Sequence, residues 1–339
     1  MKKNFLKLRV VAITLLFVGI SIFSSCSTNE TGIVPVPSTT IKAIAASNPD
    51  LSILVSALVR ANLAATLDGT GNYTVFAPNN AAFNTFFTSI SPTTTVDNVD
   101  LPTLKQVLLN HVIALKYDAA SLPNLGYLKT LATYGALSTP AITNGNPLSL
   151  FVDKTNGVKI NGISTVTFPN IGASNGIIHI VNKVINLPTI VDHAKANPLF
   201  STLVTIVTST PTNGNGFGDQ TAVATALTTN TNPLTVFAPV NAAFTAATTG
   251  TGWAVGATPA QITKVLQYHV TAAGGVLSTS LTQGQVIPMI TSPVLNTTVD
   301  LVSGVRIKDT QNIFSTVIAA DVQCSNGVVH GINTVLRPF

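Results

Sequence analysis

The strongest constraint on this chain is that its sequence runs through one pattern twice. Thr40-Ile41 with Asn48-Pro49 returns as Thr189-Ile190 with Asn197-Pro198. Tyr73-Thr74-Val75-Phe76-Ala77-Pro78 returns as Leu234-Thr235-Val236-Phe237-Ala238-Pro239, and Asn80-Ala81-Ala82-Phe83 as Asn241-Ala242-Ala243-Phe244. Leu108-Leu109-Asn110-His111-Val112 corresponds to Leu266-Gln267-Tyr268-His269-Val270, and Asn175-Gly176-Ile177-Ile178-His179 to Asn326-Gly327-Val328-Val329-His330. Blocks that recur in one order mark a duplication, and a chain of 339 residues is long enough for two units that each bury a core. The spacing between equivalent positions is 149 residues at Thr40, 161 at Phe76, 158 at His111 and 151 at His179. The second copy therefore gains 12 residues ahead of its Phe-Ala-Pro block, where 208–233 reads as an enlarged surface loop. Loops carry much of function, so this segment is a first candidate for what distinguishes the second copy.

Each block has a structural duty. Thr74-Val75-Phe76 and Thr235-Val236-Phe237 are β-branched and aromatic, as short strands are, and Pro78 and Pro239 end them because proline cannot donate to a ladder. Asn80 and Asn241 are placed to cap the helices that carry Phe83 and Phe244. Leu104, Val107, Leu108 and His111 share one helix face, as do Ile262, Val265, Leu266 and His269. The Asn-Gly pairs suit turns needing positive φ, and apolar strands follow at Ile177 to Val181 and Val328 to Ile332.

The Thr-Val-Phe-Ala-Pro-x-Asn-x-Ala-Phe block, the helical Asn-His or Tyr-His step and the closing Asn-Gly-apolar-apolar-His strand resemble the signature regions of the fasciclin (FAS1) domain, in order and twice. The resemblance covers residues 40–187 and 188–339 and implies an α+β fold, a β-sandwich-like wedge with helices packed against it in each domain. It also implies a protein of adhesion or matrix type that binds proteins, polysaccharides or lipids, not an enzyme. The chain departs from the family at Ala81 and Ala242, where an acidic residue is common, and at Asn110, where the Tyr of the Tyr-His step stands. Only Tyr268-His269 keeps that step intact, which makes these two residues binding candidates, with Tyr268 expected near the exposed side of its helix.

The first 25 residues read as an export address: a basic segment with Lys2, Lys3, Lys7 and Arg9, then an apolar run from Val10 to Phe23. Those 14 residues are too few to span a bilayer, which takes about 20. Phe23-Ser24-Ser25-Cys26 resembles the lipobox of bacterial lipoproteins, which implies a lipid on Cys26, followed by a tether over 26–39. Ser27 after that Cys, where an Asp would hold the protein inside, points to the outer membrane or cell surface. The formal charge of +5 comes from 17 Lys and Arg against 12 Asp and Glu, and cleavage before Cys26 takes away four cations, leaving about +1. The remaining cations are scattered, so nothing supports nucleic-acid binding through counterion release. With charged residues at 9%, the working surface is a neutral one of Thr, Ser and Asn, suited to glycan or protein partners.

The best case for an enzyme is the register of His111, His179, His269 and His330, which would supply two zinc ligands per domain and still lack a third. The alternative is that each is a buried residue satisfied by a backbone carbonyl. Glu30 is the only Glu, so a His-Glu-x-x-His motif is absent, and no Gly-x-Ser-x-Gly elbow, Walker loop or Cys-x-x-Cys pair occurs. No cofactor is expected. Cys324 has no partner once Cys26 is acylated and reads as a small apolar residue near a strand, and His193 as a solvated helix residue. Trp253, the sole Trp, lies in a Gly- and Thr-rich loop and is a third binding candidate, able to stack on a sugar or anchor a protein.

Overall fold

The computed structural model describes residues 38–135, 145–210, 217–229, 232–248 and 256–339. Cys26, the signal segment and Trp253 lie outside the described residues. The first domain runs α1 (Ile41–Ser47), α2 (Ser52–Arg60), β1 (Tyr73–Pro78), α3 (Asn80–Ile90), α4 (Leu101–Leu109), β2 (Val112–Ile113), β3 (Leu125–Thr133), β4 (Pro147–Asp153), β5 (Lys159–Ile160), β6 (Ser164–Ala173) and β7 (Gly176–Val181). The second repeats it with one addition: α5 (Ile190–Ala196), α6 (Ser201–Val207), α7 (Thr221–Thr229), β8 (Leu234–Pro239), α8 (Asn241–Thr248), α9 (Pro259–Gln267), β9 (Val270–Thr271), β10 (Val286–Pro288), β11 (Asn296–Asp300), β12 (Arg306–Lys308), β13 (Phe314–Cys324) and β14 (Gly327–Ile332). The addition is α7, which sits in the segment read as an enlarged surface loop. Val223 and Leu227, one helical turn apart, bury themselves in the domain core, so part of the extra length is structural.

Each domain folds around one seven-stranded sheet, ordered β2-β1-β7-β6-β5-β4-β3 and β10-β11-β12-β13-β14-β8-β9. The signature strands β1 and β7 pair in parallel, as do β8 and β14, while all other named pairs are antiparallel. Alternation along β1 sends Val75 into a core shared with the helices and Phe76 into a second core enclosed by the curled sheet. Val236 and Phe237 divide in the same way. This is the α+β wedge the resemblance implies.

Asn80 and Asn241 do not make the caps expected of them, because each is the first residue of its helix. Asn79 caps α3, accepting from the Ala82 N–H at 2.8 Å, while Asn80 is the first residue of the helix. Asn80 instead fastens α3 to the start of α2: its Oδ1 accepts from Ile53 N–H, and its Nδ2 donates to the Pro49 carbonyl and Ser52 Oγ, all at 3.0 Å. Asn241 makes the equivalent three bonds to Thr202, Pro198 and Ser201. Gly176 and Gly327 begin the closing strands because a Cβ at either would overlap a carbonyl oxygen of the parallel neighbour, Tyr73 or Leu234. The Asn before each Gly fastens its turn to the first helix of the domain, Asn175 accepting from Ile41 N–H and Asn326 from Ile190 N–H, both at 2.9 Å.

Candidate functional site

The four repeated histidines are fully engaged by backbone. His111 Nδ1–H donates to the Val107 carbonyl at 2.7 Å and its Nε2 accepts from Ile185 N–H at 2.8 Å. His269 repeats this with Val265 at 2.7 Å and Leu336 at 2.9 Å. Each ring therefore locks the end of its helix to the strand-to-tail segment that closes the domain. Burial pushes both imidazoles down to about 4, so they are neutral at ordinary pH. His179 and His330 carry the other tautomer. Their Nε2–H groups donate to the carbonyls of Tyr117 and Val276, and their Nδ1 atoms accept from Asn170 and Asp321 N–H in left-handed bulges of β6 and β13. Their rings stack on Phe76 and Phe237, at 5.5 and 5.6 Å between centroids. With both nitrogens of every ring occupied, none is free to ligate a metal ion. Among the described residues no group of three or more His, Cys, Asp or Glu side chains is placed to hold one.

Two expectations about exposure are corrected here. Tyr268, placed near the exposed side of its helix by the sequence, is 0% exposed: it keeps helical backbone as the cap that ends α9, and its ring is covered by Phe237, Ile287, Met289 and Leu336 from elsewhere in the domain. Its hydroxyl donates to the Asn296 carbonyl at 2.7 Å, and burial pushes its pKa up to about 12. Asn110, its counterpart, is also fully buried and donates to the carbonyls of Ile185 and Asn186. In both copies this position sustains the fold. His269 is buried beside Tyr268, so the pair presents no surface to a partner in this conformation.

His193, read as solvated, is 1% exposed because α5 packs against the first domain. The described residues form one compact unit in which strands β3 and β4 meet β13 and α5. Lys129 Nζ donates across this seam to the Asp321 carbonyl at 2.8 Å, and on its own side to Ser149 Oγ at 3.0 Å. Ser149 Oγ also accepts from Gln323 N–H at 2.9 Å, a buried bond between the domains. Tyr127 lies edge-on to His193, 5.4 Å between centroids, and its hydroxyl accepts from Asn197 Nδ2 at 3.2 Å. Neither ring nitrogen of His193 has a hydrogen bond of normal geometry, although the Ser149 backbone lies nearby, and burial pushes this imidazole down to about 4. Cys324, in β13 beside the seam, is buried with its thiol pushed up by desolvation, which agrees with its reading as a small apolar residue and makes it a poor nucleophile.

The second domain also keeps an apolar cavity of about 50 Å³ among α5, α6, α7, α9 and the sheet, lined by Leu203, Val207, Val223, Leu227 and Leu266 among others. The equivalent space in the first domain, bounded by Leu58, Leu63, Leu67 and Leu108, is about 10 Å³.

The fasciclin domain model matches this chain twice, over residues 49–188 and 199–338. The chain belongs to the fasciclin family. Among its relatives, uncharacterized protein sll1735 of Synechocystis is 36% identical over 148 residues, 43% of this chain and 96% of that one. Cell surface glycolipoprotein MPB83 of Mycobacterium bovis is 43% identical over 81 residues, 22% of this chain and 34% of that one. A solved fasciclin domain pair from the insect cell adhesion molecule Fasciclin I aligns with a TM-score of 0.44 at 17% identity, covering 83% of this chain and 92% of that one. Fasciclin domains occur in cell-adhesion and cell-surface proteins. Among the described residues no helix is long and apolar enough to cross a membrane.

Proposed function

We propose that this fasciclin protein is a lipid-anchored component of the cell envelope, facing the outer membrane or cell surface, that recognises glycan or protein through its domain pair and performs no catalysis. The observation that carries this reading is the tandem fasciclin match over nearly the whole chain beyond the tether. The lipobox-like Phe23-Ser24-Ser25-Cys26 supports the anchor, and the printed description of the mycobacterial relative as a cell surface glycolipoprotein supports the location. The engagement of every repeated histidine by backbone supports a binding role over a hydrolytic one. Lipid chains contribute about 0.8 kcal/mol per buried methylene, so two or more hold a protein stably at a membrane surface.

Radiolabelled palmitate is expected to enter the protein and not a Cys26→Ala variant; equal labelling of both would overturn the anchor. The chain from Ser27 onward is expected to be retained by polysaccharide or matrix-protein arrays, with loss on Trp253→Ala or on removal of residues 211–216. Absence of retention by any glycan or protein would overturn the recognition role. A spacer role is the second reading, favoured by the seam that joins both domains into one unit beyond a 13-residue tether from Ser27 to Thr39. Co-purification with one fixed partner and no glycan retention would select it.

A further inference from the structure

His193 stands apart from the four repeated histidines, because it lies between the domains and its ring is unpartnered. It is buried on α5, and neither ring nitrogen has a hydrogen bond of normal geometry, the Ser149 backbone in β4 lying nearby. A neutral imidazole left so is already unfavourable, and an imidazolium in the same place is far more so, since a buried charge needs a partner.

The groups around the ring give a proton nothing that would hold the domains together. From β3 come the phenol of Tyr127, which accepts from Asn197, and the ammonium of Lys129, whose charge opposes a second cation beside it. From β4 comes Ser149, which carries no charge. From β13 come Asp321, whose carboxylate accepts from Ser278 N–H at 2.7 Å and Ser278 Oγ at 2.5 Å, and Cys324, whose thiol stays protonated through burial. On α5 itself Asp192 attracts the proton, and Lys195 is exposed. Both ride with the ring, so the pull of Asp192 is present whether the domains are docked or apart. Of the charged groups that act on the imidazole, the first domain supplies a cation and no carboxylate.

The connection between the domains is fastened at both ends. Asn110 donates to the Ile185 and Asn186 carbonyls on the side of the first domain, and the Pro188 carbonyl accepts from Ser325 N–H of the second at 2.7 Å, which leaves Leu187 as the pivot. Docking holds the imidazole at about 4, and a ring released to solvent returns towards 6.5. Docking is therefore at full strength above about pH 6.5 and weakens as pH falls towards 4, by about 30-fold at pH 5. His111 and His269 bring a similar penalty inside the domains, but each domain is held by a seven-stranded sheet and its own cores. The seam rests on the bonds of Lys129, Ser149 and Tyr127 and on ring packing, so the same penalty weighs more heavily there. We propose that the seam is an acid-operated joint: a proton taken up by His193 parts the two domains about Leu187 while each stays folded. The joint acts whatever the domain pair binds.

The test is hydrogen exchange of the intact chain in detergent micelles at pH 7.5 and pH 5, read residue by residue by mass spectrometry and divided by the intrinsic rates. The reporter is Gln323 N–H, whose bond to Ser149 Oγ exists only across the seam. Its protection is expected to fall about 30-fold between the two pH values. At pH 5 the amides of the central strands β1 and β8 should remain about tenfold or more better protected than Gln323, because the domains are still folded. His193→Ile should abolish the fall at Gln323, with protection at pH 7.5 showing that the variant docks; His193→Leu takes its place if it does not. Protection at Gln323 that is unchanged by acid, that falls equally in the variant, or that falls only to the level of β1 and β8 would overturn the joint.

Discussion

The two domains share a framework almost bond for bond and differ where they meet each other. The Asn80 and Asn241 fastenings, the His111 and His269 locks and the Phe-His stacks are the same in both. The seam is built from positions where the copies diverge. Strand register places Val286, Pro288 and Asn296 of the second domain where the first has Tyr127, Lys129 and Ser149. Val286 is 57% exposed there, and Pro288 lacks the ammonium that bonds across the seam. In the other direction, Ile44 and Asn170 stand in the first domain where the second has His193 and Asp321. Duplication supplied the fold, and divergence at a few side chains supplied the fit between its halves. The second domain's hairpin lacks the groups that would hold a third domain in the same way.

The largest expected effect concerns acid. His111, His193 and His269 are held near 4, below their usual value of 6.5, so each contributes stability that is fully present above about pH 6.5 and is lost as pH falls towards 4. At pH 5 each is expected to cost about 2 kcal/mol relative to pH 7.5. Urea unfolding at the two pH values measures this. His193→Ile, which installs the first domain's residue, should remove about 2 kcal/mol of the difference, and an unchanged difference would mean that the seam histidine is not neutral and buried.

Next in size, Asn80→Ala and Asn241→Ala each remove three bonds at a helix junction and are expected to cost about 2–3 kcal/mol, at roughly 1 kcal/mol per bond. Equal losses support a shared framework; a difference above about 1 kcal/mol would break the comparison. The smallest effect is packing. Val207 lines the second domain's cavity where the first domain has Leu58. Val207→Leu should stabilise by about 0.8 kcal/mol, one buried methylene, and Leu58→Val should destabilise by about as much or more, both read from denaturant midpoints.

Much of the fold is legible in the sequence because the repeat exposes it: residues that recur at buried backbone junctions, such as His179 and His330, report the architecture twice. The seam is harder to see, since its residues have no equivalent in the other copy and comparing the copies hides them. A signal was nonetheless present at His193, a polar residue where the first copy has the apolar Ile44. Tyr268 misled for a different reason. Helical periodicity gives the direction of a side chain and not what packs over it: Tyr268 still has helical backbone, and Ile287, Met289 and Leu336, which cover its ring, are distant in sequence.

Differential scanning calorimetry of the chain from Ser27 onward tests most directly the claim that two diverged copies form one body. A single transition is expected, with calorimetric and van't Hoff enthalpies equal. Lys129→Ala, which removes the bonds to Ser149 and Asp321, is expected to separate it into two. Two resolved transitions in the unaltered chain, or no effect of Lys129→Ala on a single one, would contradict the account.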